Sequence, residues 1–276
     1  MKVTLIGYTP RPLYVCAEAA AVCYDSEPSL NIIKGCIRSG HQSVLEHCSF
    51  TFRVEGISRS CSHQIVRHRI ASYSQQSQRY VKYDNLDWVI PDYGIDGECA
   101  RNACDIMLNT YKDMTDDANP GFQKSTIDAA RCVLPNATPT IIYITMNLRA
   151  LMHFCNERMC ARASKEIRNV AVGMRDEVMG AQEISFEEKK ILDTVLVPKC
   201  MAGPLHACPE KEGCGKCKPL KEFVWRAKGR WIDVYEWAKM HDSTPSGMCT
   251  YYWCSECEEP YNSKSNFCPN CGAEME

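Results

Sequence analysis

The chain has 276 residues, of which 45% are hydrophobic and 24% are charged, a composition typical of globular proteins. This length suits one sizeable domain, or one domain with a small module. The net charge of −2 excludes a global basic field for nucleic acid, so that any anion site must be local.

The first residues do not fit a secretory signal, because the apolar run VTLIGY after Met1 and Lys2 is too short. No uninterrupted apolar run approaches the roughly 20 residues of a membrane span. We therefore expect a cytoplasmic location.

Apolar periodicity predicts strands that alternate with longer helices. The predicted strands cover residues 2–8, 48–55, 79–83 and 140–147. The predicted helices cover residues 11–24, 29–40, 57–68, 97–118, 123–133, 148–161 and 163–180. Ser43 and Glu46 have the spacing of a capping box. The predicted fold class is α+β, with an α/β-type mixed sheet and flanking helices.

The 19 cysteines are unevenly distributed, with nine of them between Cys200 and Cys271. The earlier ones, from Cys16 to Cys160, mostly have apolar neighbours and are predicted to be small core residues. Cys254, Cys257, Cys268 and Cys271 form C-x2-C-x10-C-x2-C, in which two tight turns supply four thiolates for a structural zinc. Such a closed shell leaves no position open for catalysis.

A second group consists of Cys200, His206, Cys208, Cys214 and Cys217, and its irregular spacing fits either another metal site or an ordinary cysteine-rich loop. The composition shifts toward Trp, Tyr and Cys after about residue 217. We therefore expect a main domain at 1–217, a transition at 218–248 and a small zinc ribbon at 249–276.

The stretch RHRIASYSQQSQRY, residues 67–80, combines three arginines with several hydroxyl and amide side chains. No Asp or Glu occurs from residue 56 to residue 83. Arginine suits phosphate and carboxylate, and the neutral groups can bind the edge of a base. A solvated basic face and a nucleic-acid contact remain alternatives at this point.

A second basic stretch, residues 147–168, has an apolar helical stripe, and Arg149, His153 and Arg162 can lie together on another face. Arg131 stands in an apolar context just before a predicted strand. Buried arginines need anionic partners, which favours an anionic ligand. The sequence lacks the dinucleotide-binding motif G-x-G-x-x-G, a P-loop, the histidine spacing of zinc proteases and the nucleophile elbow of serine hydrolases.

These motifs resemble those of the flavin-dependent thymidylate synthases. Arg67, His68, Arg69 and Ser77 fit the family signature R-H-R-x7-S. Further matches follow in the same order over roughly residues 1–217: GHQSVLEH (40–47), Gln64, SQRY (77–80), AARCVLP (129–135) and NLRALMHFCNER with EIR (147–168).

The resemblance implies methylation of dUMP at C5, with methylenetetrahydrofolate as the carbon donor and NADPH reducing a bound FAD. No cysteine nucleophile is required. It also implies a homotetramer whose active sites are shared between subunits. The flavin carries out the redox chemistry, and the protein orients and polarises the reacting groups.

The resemblance also implies a set of site residues. Arg158 would stabilise negative charge on the uracil, Ser77 would hydrogen-bond the nucleotide rather than attack it, and Arg79 and Arg131 would hold its phosphate. The FAD site would consist of Arg67, His68, Arg69, Ile70, His41, Ser43, Asn147, Arg149 and His153. The dUMP site would consist of Gln64, Gln75, Ser77, Arg79, Arg131 and Arg158.

Ser74, Gln75, His153 and Ser164-Lys165 depart from the usual family pattern, and the zinc ribbon lies outside it. Two alternatives follow from these departures. One is a zinc-ribbon protein that binds nucleic acid on a synthase-like scaffold. The other is a flavoprotein that makes a different C5 modification of a pyrimidine.

Overall fold

The structure, a computed structural model, describes residues 1–91, 94–116 and 123–202, with short strand segments beyond residue 206. Side chains are described up to residue 202, apart from those of residues 24 and 123. The chain divides into two compact units, Met1–Pro198 and Lys199–Glu276. Among the described residues, no helix has both the length and the apolar character needed to cross a membrane.

The first unit is built on a four-stranded sheet with the order β1-β2-β4-β3. Its strands are β1 (Lys2–Tyr8), β2 (Ser49–Ser58), β3 (Ser72–Gln75) and β4 (Pro139–Asn147). The α+β class is confirmed, but the predicted mixed sheet is wrong, since all three pairings are antiparallel. The connections explain this: a pair of helices separates β1 from β2, and another pair separates β3 from β4. Each pair of helices returns the chain to the end of the sheet at which the preceding strand finished.

The core lies on one face of this sheet. Alternate residues of β2 and β4 are fully or almost fully buried, as expected for strands with one face in the core. Helices cover this face and bury residues in the same cluster. They are α1 (Pro12–Tyr24), α2 (Leu30–Arg38), α3 (Arg59–Ile65), α6 (Leu148–Arg158), α7 (Lys165–Gly180) and α8 (Phe186–Val195).

A smaller cluster lies around α4 (Gly97–Asp116) and α5 (Gln123–Ala130). Both helices were predicted, although α5 ends early and a short 3-10 helix, Arg131–Val133, follows it. Tyr83 and Trp88 pack here from the segment before α4. The segment 79–83, predicted as a strand, is irregular instead, and its buried residue belongs to this cluster rather than to a sheet.

The structure differs from the sequence predictions in two further places. The strand β3 was not predicted, because its residues are mostly polar and it owes its strand conformation to pairing with β4. The predicted capping box at Ser43 is wrong. Residues Gln42–His47 form a 3-10 helix without a side-chain cap, and Glu46 contacts Arg149 instead.

The predicted core role of the early cysteines is confirmed for six of them and wrong for three. Cys23, Cys99 and Cys132 are exposed. The buried ones are Cys16, Cys36, Cys48, Cys61, Cys104 and Cys155.

The second unit begins with α9 (Lys199–Ala202), and its strands are short. They are β5 (Ala207–Cys208), β6 (Lys218–Pro219), β7 (Lys228–Gly229), β8 (Trp231–Asp233), β9 (Tyr252–Cys254), β10 (Pro260–Tyr261) and β11 (Glu274–Met275). β9 pairs antiparallel with both β8 and β10. The side chains of the four predicted zinc ligands, Cys254, Cys257, Cys268 and Cys271, lie outside the described residues. So do those of His206, Cys208, Cys214 and Cys217.

A fully buried carboxylate, that of Glu188, ties α8 to α1. Its Oε1 accepts a hydrogen bond from the amide of Leu13 at 2.9 Å, and its Oε2 accepts from the amide and hydroxyl of Ser185. Ser185 completes a capping box by accepting from the Glu188 amide at 3.3 Å.

We expect Glu188→Ala to lower the free energy of unfolding by about 2–4 kcal/mol, because it leaves one buried and two partly buried donors without an acceptor. Urea denaturation followed by circular dichroism measures the loss. Glu187→Ala is the matched control, since Glu187 is exposed in the same turn and its removal costs less than about 1 kcal/mol. Equal losses in the two variants would contradict the role given to Glu188.

Candidate active site

The main cavity forms where β4 ends and α6 begins. The side chain of Asn147 accepts a hydrogen bond from the amide of Ala150 at 2.8 Å, which caps the helix at its first turn. One face of α6 is buried in the core. Arg149, His153 and Glu157, spaced four residues apart on α6, line the cavity.

The opposite wall is the loop 67–70, between α3 and β3. The hydroxyl of Tyr73, from β3, lies 2.6 Å from the carbonyl oxygen of His68 and 3.1 Å from that of Ile65. Burial raises the pKa of Tyr73 to about 12, so this hydroxyl stays a donor at all ordinary pH values. The loop is therefore anchored from behind by β3.

One hydrogen bond joins the two walls. Arg158 Nε donates to His68 Nε2 at 2.9 Å. The ring of His68 also packs edge-on against Phe154 and lies 5.4 Å, between centroids, from the ring of His153. Burial, reinforced by the charges of Arg158 and His153, lowers the pKa of His68 to about 4. His68 is therefore neutral at pH 7, with Nε2 as an acceptor.

The cavity has a volume of about 720 Å³, within the range of cofactor sites. Four of the eleven residues in its wall are arginines, and at neutral pH a cavity of this kind suits an anionic ligand. The lining residues are Gln42, Arg67, His68, Arg69, Ile70, Asn147, Arg149, Ala150, His153, Glu157 and Arg158.

Seven of the nine residues predicted to bind FAD line this cavity. The other two, His41 and Ser43, do not line it, although Gln42 between them does. His41 lines a separate cavity of about 390 Å³ beside α2. Arg162, which was expected to share a face with Arg149 and His153, does not line the main cavity.

The residues predicted to bind dUMP fall into separate places within one chain. Arg158 lines the cavity. Gln75 Nε2 donates to Ser62 Oγ at 2.8 Å, and Gln64 Oε1 accepts from Ser164 Oγ at 3.4 Å.

The remaining three predicted dUMP residues, like Gln64 and Gln75, are not among the residues that line the cavity. The hydroxyl of Ser77 accepts from the amide of Arg79 at 3.1 Å. Arg79 and Arg131 both meet Asp128, and their Nε atoms each lie 3.0 Å from its Oδ1.

Sequence reasoning missed several residues of the site. Glu46, whose Oε1 accepts from Arg149 Nη1 at 2.6 Å, carries no sequence signal for a partner 103 residues away. The hydrogen bonds described for the Tyr73 hydroxyl likewise go to backbone oxygens, a contact that leaves no sequence signal. Asp128 could have been found, because it stands three residues before Arg131, a spacing at which helical side chains meet.

No cysteine is among the residues that line the cavity. Burial raises the pKa of Cys61 and of Cys155 to about 12, which keeps both as unreactive thiols. Within the described residues, no group of three or more His, Cys, Asp and Glu side chains is arranged to bind a metal ion.

Comparison with known proteins identifies relatives for most of the chain. Residues 4–181 match the family described as Thymidylate synthase complementing protein (Thy1). The flavin-dependent thymidylate synthase of Clostridium tetani is 40% identical over 250 residues, which cover 81% of this chain and 96% of the relative. The enzyme of the same name from Geobacter sulfurreducens is 41% identical over 242 residues, which cover 81% and 97%.

A solved structure has the same fold. It is the flavin-dependent thymidylate synthase ThyX of Helicobacter pylori, in complex with FAD and dUMP. The TM-score is 0.55 at 22% identity, with 71% of this chain and 99% of that chain covered.

We expect an NMR titration of His68 to give a pKa near 4, and a fall in the free energy of unfolding as the pH is lowered from 6.5 toward 4. In this window the unfolded chain binds more protons than the folded one, so stability is present above 6.5 and is lost toward 4. Arg158→Met removes a neighbouring charge and is expected to raise the pKa of His68. The value should stay below 6.5, because burial is the main cause. A pKa at or above 6.5 in the unmodified protein would contradict the buried, neutral state.

Proposed function

The chain belongs to the Thymidylate synthase complementing protein (Thy1) family and is a flavin-dependent thymidylate synthase; we propose that it converts dUMP to dTMP, with methylenetetrahydrofolate as the carbon donor and NADPH as the source of electrons. One observation carries this proposal. The loop 67–70 and α6 enclose a single cationic cavity, lined by most of the residues that the family resemblance assigns to FAD.

The residues present suit FAD. Its diphosphate is an anion, and the cavity offers several guanidinium groups together with the neutral ring of His68. We propose that Arg67, His68, Arg69 and Ile70 bind it from the loop. Asn147, at the end of β4, and Arg149 and His153, on α6, would bind it from the opposite wall. His41 and Ser43 would complete the site beside Gln42. FAD, when bound, supplies the hydride that the methylation consumes.

Arg158 is proposed as the residue that stabilises negative charge on the uracil. Its Nε is already used by His68, which fixes the plane of the guanidinium and leaves the Nη groups for substrate. Because His68 is neutral, it does not compete with the uracil for the positive charge. The hydrogen bond thus acts as a positioning contact for a catalytic group.

The other proposed dUMP ligands are Gln64, Gln75, Ser77, Arg79 and Arg131. Gln75 donates its amide hydrogens to Ser62 and Thr140, so its oxygen stays available as an acceptor. The contact described for the Ser77 hydroxyl is the amide of Arg79, which agrees with a binding role rather than that of a nucleophile.

We propose that the active enzyme is a homotetramer whose sites are shared between subunits. Within one chain, Arg158 lines the cavity, whereas Arg79 and Arg131 meet at Asp128 outside it. A site shared between subunits would bring all three arginines to one nucleotide.

The chain beyond the catalytic domain is proposed to carry zinc. The spacing of Cys254, Cys257, Cys268 and Cys271 supports a four-thiolate ribbon at 249–276, separated by residues 218–248 from a domain at 1–217. A closed shell of this kind has a structural role.

The cytoplasmic location of the protein stays a prediction.

We expect Arg158→Ala to abolish transfer of label from methylenetetrahydrofolate to dUMP, while the protein still binds FAD, because the other cavity residues remain. The unmodified protein should transfer the label, and dUMP should perturb its flavin absorption spectrum. Arg101→Ala, at a half-exposed position on α4, is the matched control and should keep full activity.

Other outcomes separate the competing functions. Full activity in Arg158→Ala would contradict the role given to Arg158. Label transfer to a pyrimidine other than dUMP would indicate a different C5 modification. Absence of flavin binding, together with DNA binding that weakens steeply with salt, would favour the nucleic-acid alternative.

We expect the full-length protein to contain one zinc ion per chain, and Cys268→Ser to lose it while FAD is retained. Mass spectrometry measures the zinc content, and flavin absorbance measures the bound FAD. Cys132→Ser, an exposed cysteine of the first unit, is the control. Two zinc ions per chain would show that the group from Cys200 to Cys217 also binds metal. Loss of FAD with the zinc would mean that the ribbon is needed for the catalytic fold.

A further inference from the structure

Two arginines of the first unit share one carboxylate. Asp128 lies in the last turn of α5, Arg131 lies in the 3-10 helix that follows, and Arg79 lies in the turn after β3. The Nε atoms of both arginines lie 3.0 Å from Asp128 Oδ1, and Arg131 Nε also donates to the carbonyl oxygen of Asp128 at 3.1 Å. Without this carboxylate the two cations would repel one another.

The contacts leave most of each guanidinium unused. Each arginine reaches Asp128 through Nε, and no partner among the described residues is found for the Nη groups, which carry four of the five N–H donors. The side chains of Arg79 and Arg131 are about half exposed, at 50% and 46%. The Nη groups of the pair are therefore free to form a double fork for an anion with several oxygens.

A third cation belongs to the same cluster. The ring of Tyr80 lies between Lys124, whose Nζ is 4.7 Å from the ring centroid, and Arg79, whose Cζ is 5.9 Å from it. Three cations and one carboxylate leave the cluster with a net charge of about +2 at neutral pH, opposite to that of a dianionic phosphomonoester.

We propose that Asp128 is a positioning residue that holds Arg79 and Arg131 together for the phosphate of the nucleotide substrate, and that Lys124, held over Tyr80, is a third cation of this subsite. The inference rests on the proposed function, which supplies the phosphomonoester. An Asp128 that merely took the place of the phosphate would occupy the Nη forks. Its contacts are made at Nε instead, which orients each fork without filling it.

The test compares Asp128→Ala with Asp128→Asn in the FAD-bound enzyme, on dUMP and on deoxyuridine, which lacks the phosphate. We expect Asp128→Ala to raise the KM for dUMP about tenfold, the equivalent of one charge-assisted hydrogen bond, with kcat changed less than about threefold. Asp128→Asn keeps an oxygen acceptor but loses the charge, so its KM for dUMP should lie between those of the unmodified enzyme and Asp128→Ala. The dissociation constant of deoxyuridine, measured by calorimetry, should not change in either variant.

Lys124→Ala is expected to raise the KM for dUMP by about two- to fivefold, since an exposed charge contributes little. Two matched controls should leave it unchanged. Lys190→Ala removes a lysine that lies over the ring of Phe186, with Nζ 4.3 Å from the centroid, and Asp193→Ala removes one of the two carboxylate partners of Arg175.

Three outcomes would overturn the inference. A lower KM for dUMP in both Asp128 variants would show that Asp128 competes with the phosphate. Equal weakening of dUMP and deoxyuridine would show a general structural role. An unchanged KM for dUMP in Asp128→Ala would show no role. Failure of the proposed function can be distinguished from these outcomes, because the unmodified enzyme would then form no dTMP. Calorimetry would still compare the binding of dUMP and deoxyuridine.

Discussion

The hydrogen bond from Arg158 to His68 is the contact on which the cavity depends, because it joins the loop 67–70 to α6. It requires an imidazole nitrogen without a proton, and burial against Phe154 supplies that condition by disfavouring the charged ring. The same bond fixes the plane of one guanidinium. Fold and electrostatics are thus linked at a single pair of side chains.

A site rich in arginine has to keep like charges close together before any ligand arrives. The structure does so by placing a carboxylate beside each group of arginines. Glu46 accepts from Arg149 at the edge of the cavity. Outside the cavity, Asp128 accepts from Arg79 and forms an ion pair with Arg131. Half-exposed pairs such as these contribute little to stability, so that their effect is mainly on side-chain geometry.

The antiparallel sheet explains why these elements meet. The register of β2 against β4 pairs Ser49 with Asn147, so the 3-10 helix before β2 and the start of α6 lie at the same end of the sheet. The amide of Leu148 donates to the carbonyl oxygen of Cys48 at this junction. The polar groups at the strand ends therefore face one place, while the apolar faces of the strands fill the core behind it.

The sequence by itself determined most of the helices, three of the four strands of the sheet and eight of the eleven residues that line the cavity, because apolar periodicity and the family motifs are local properties. Only the tertiary structure decided the polar strand β3, which depends on pairing with β4, and the carboxylate partners Glu46 and Asp128. It also decided that Arg158 lines the cavity, whereas Arg79 and Arg131 do not. Pairing and charge contacts of this kind join residues distant in sequence, and no local pattern encodes them.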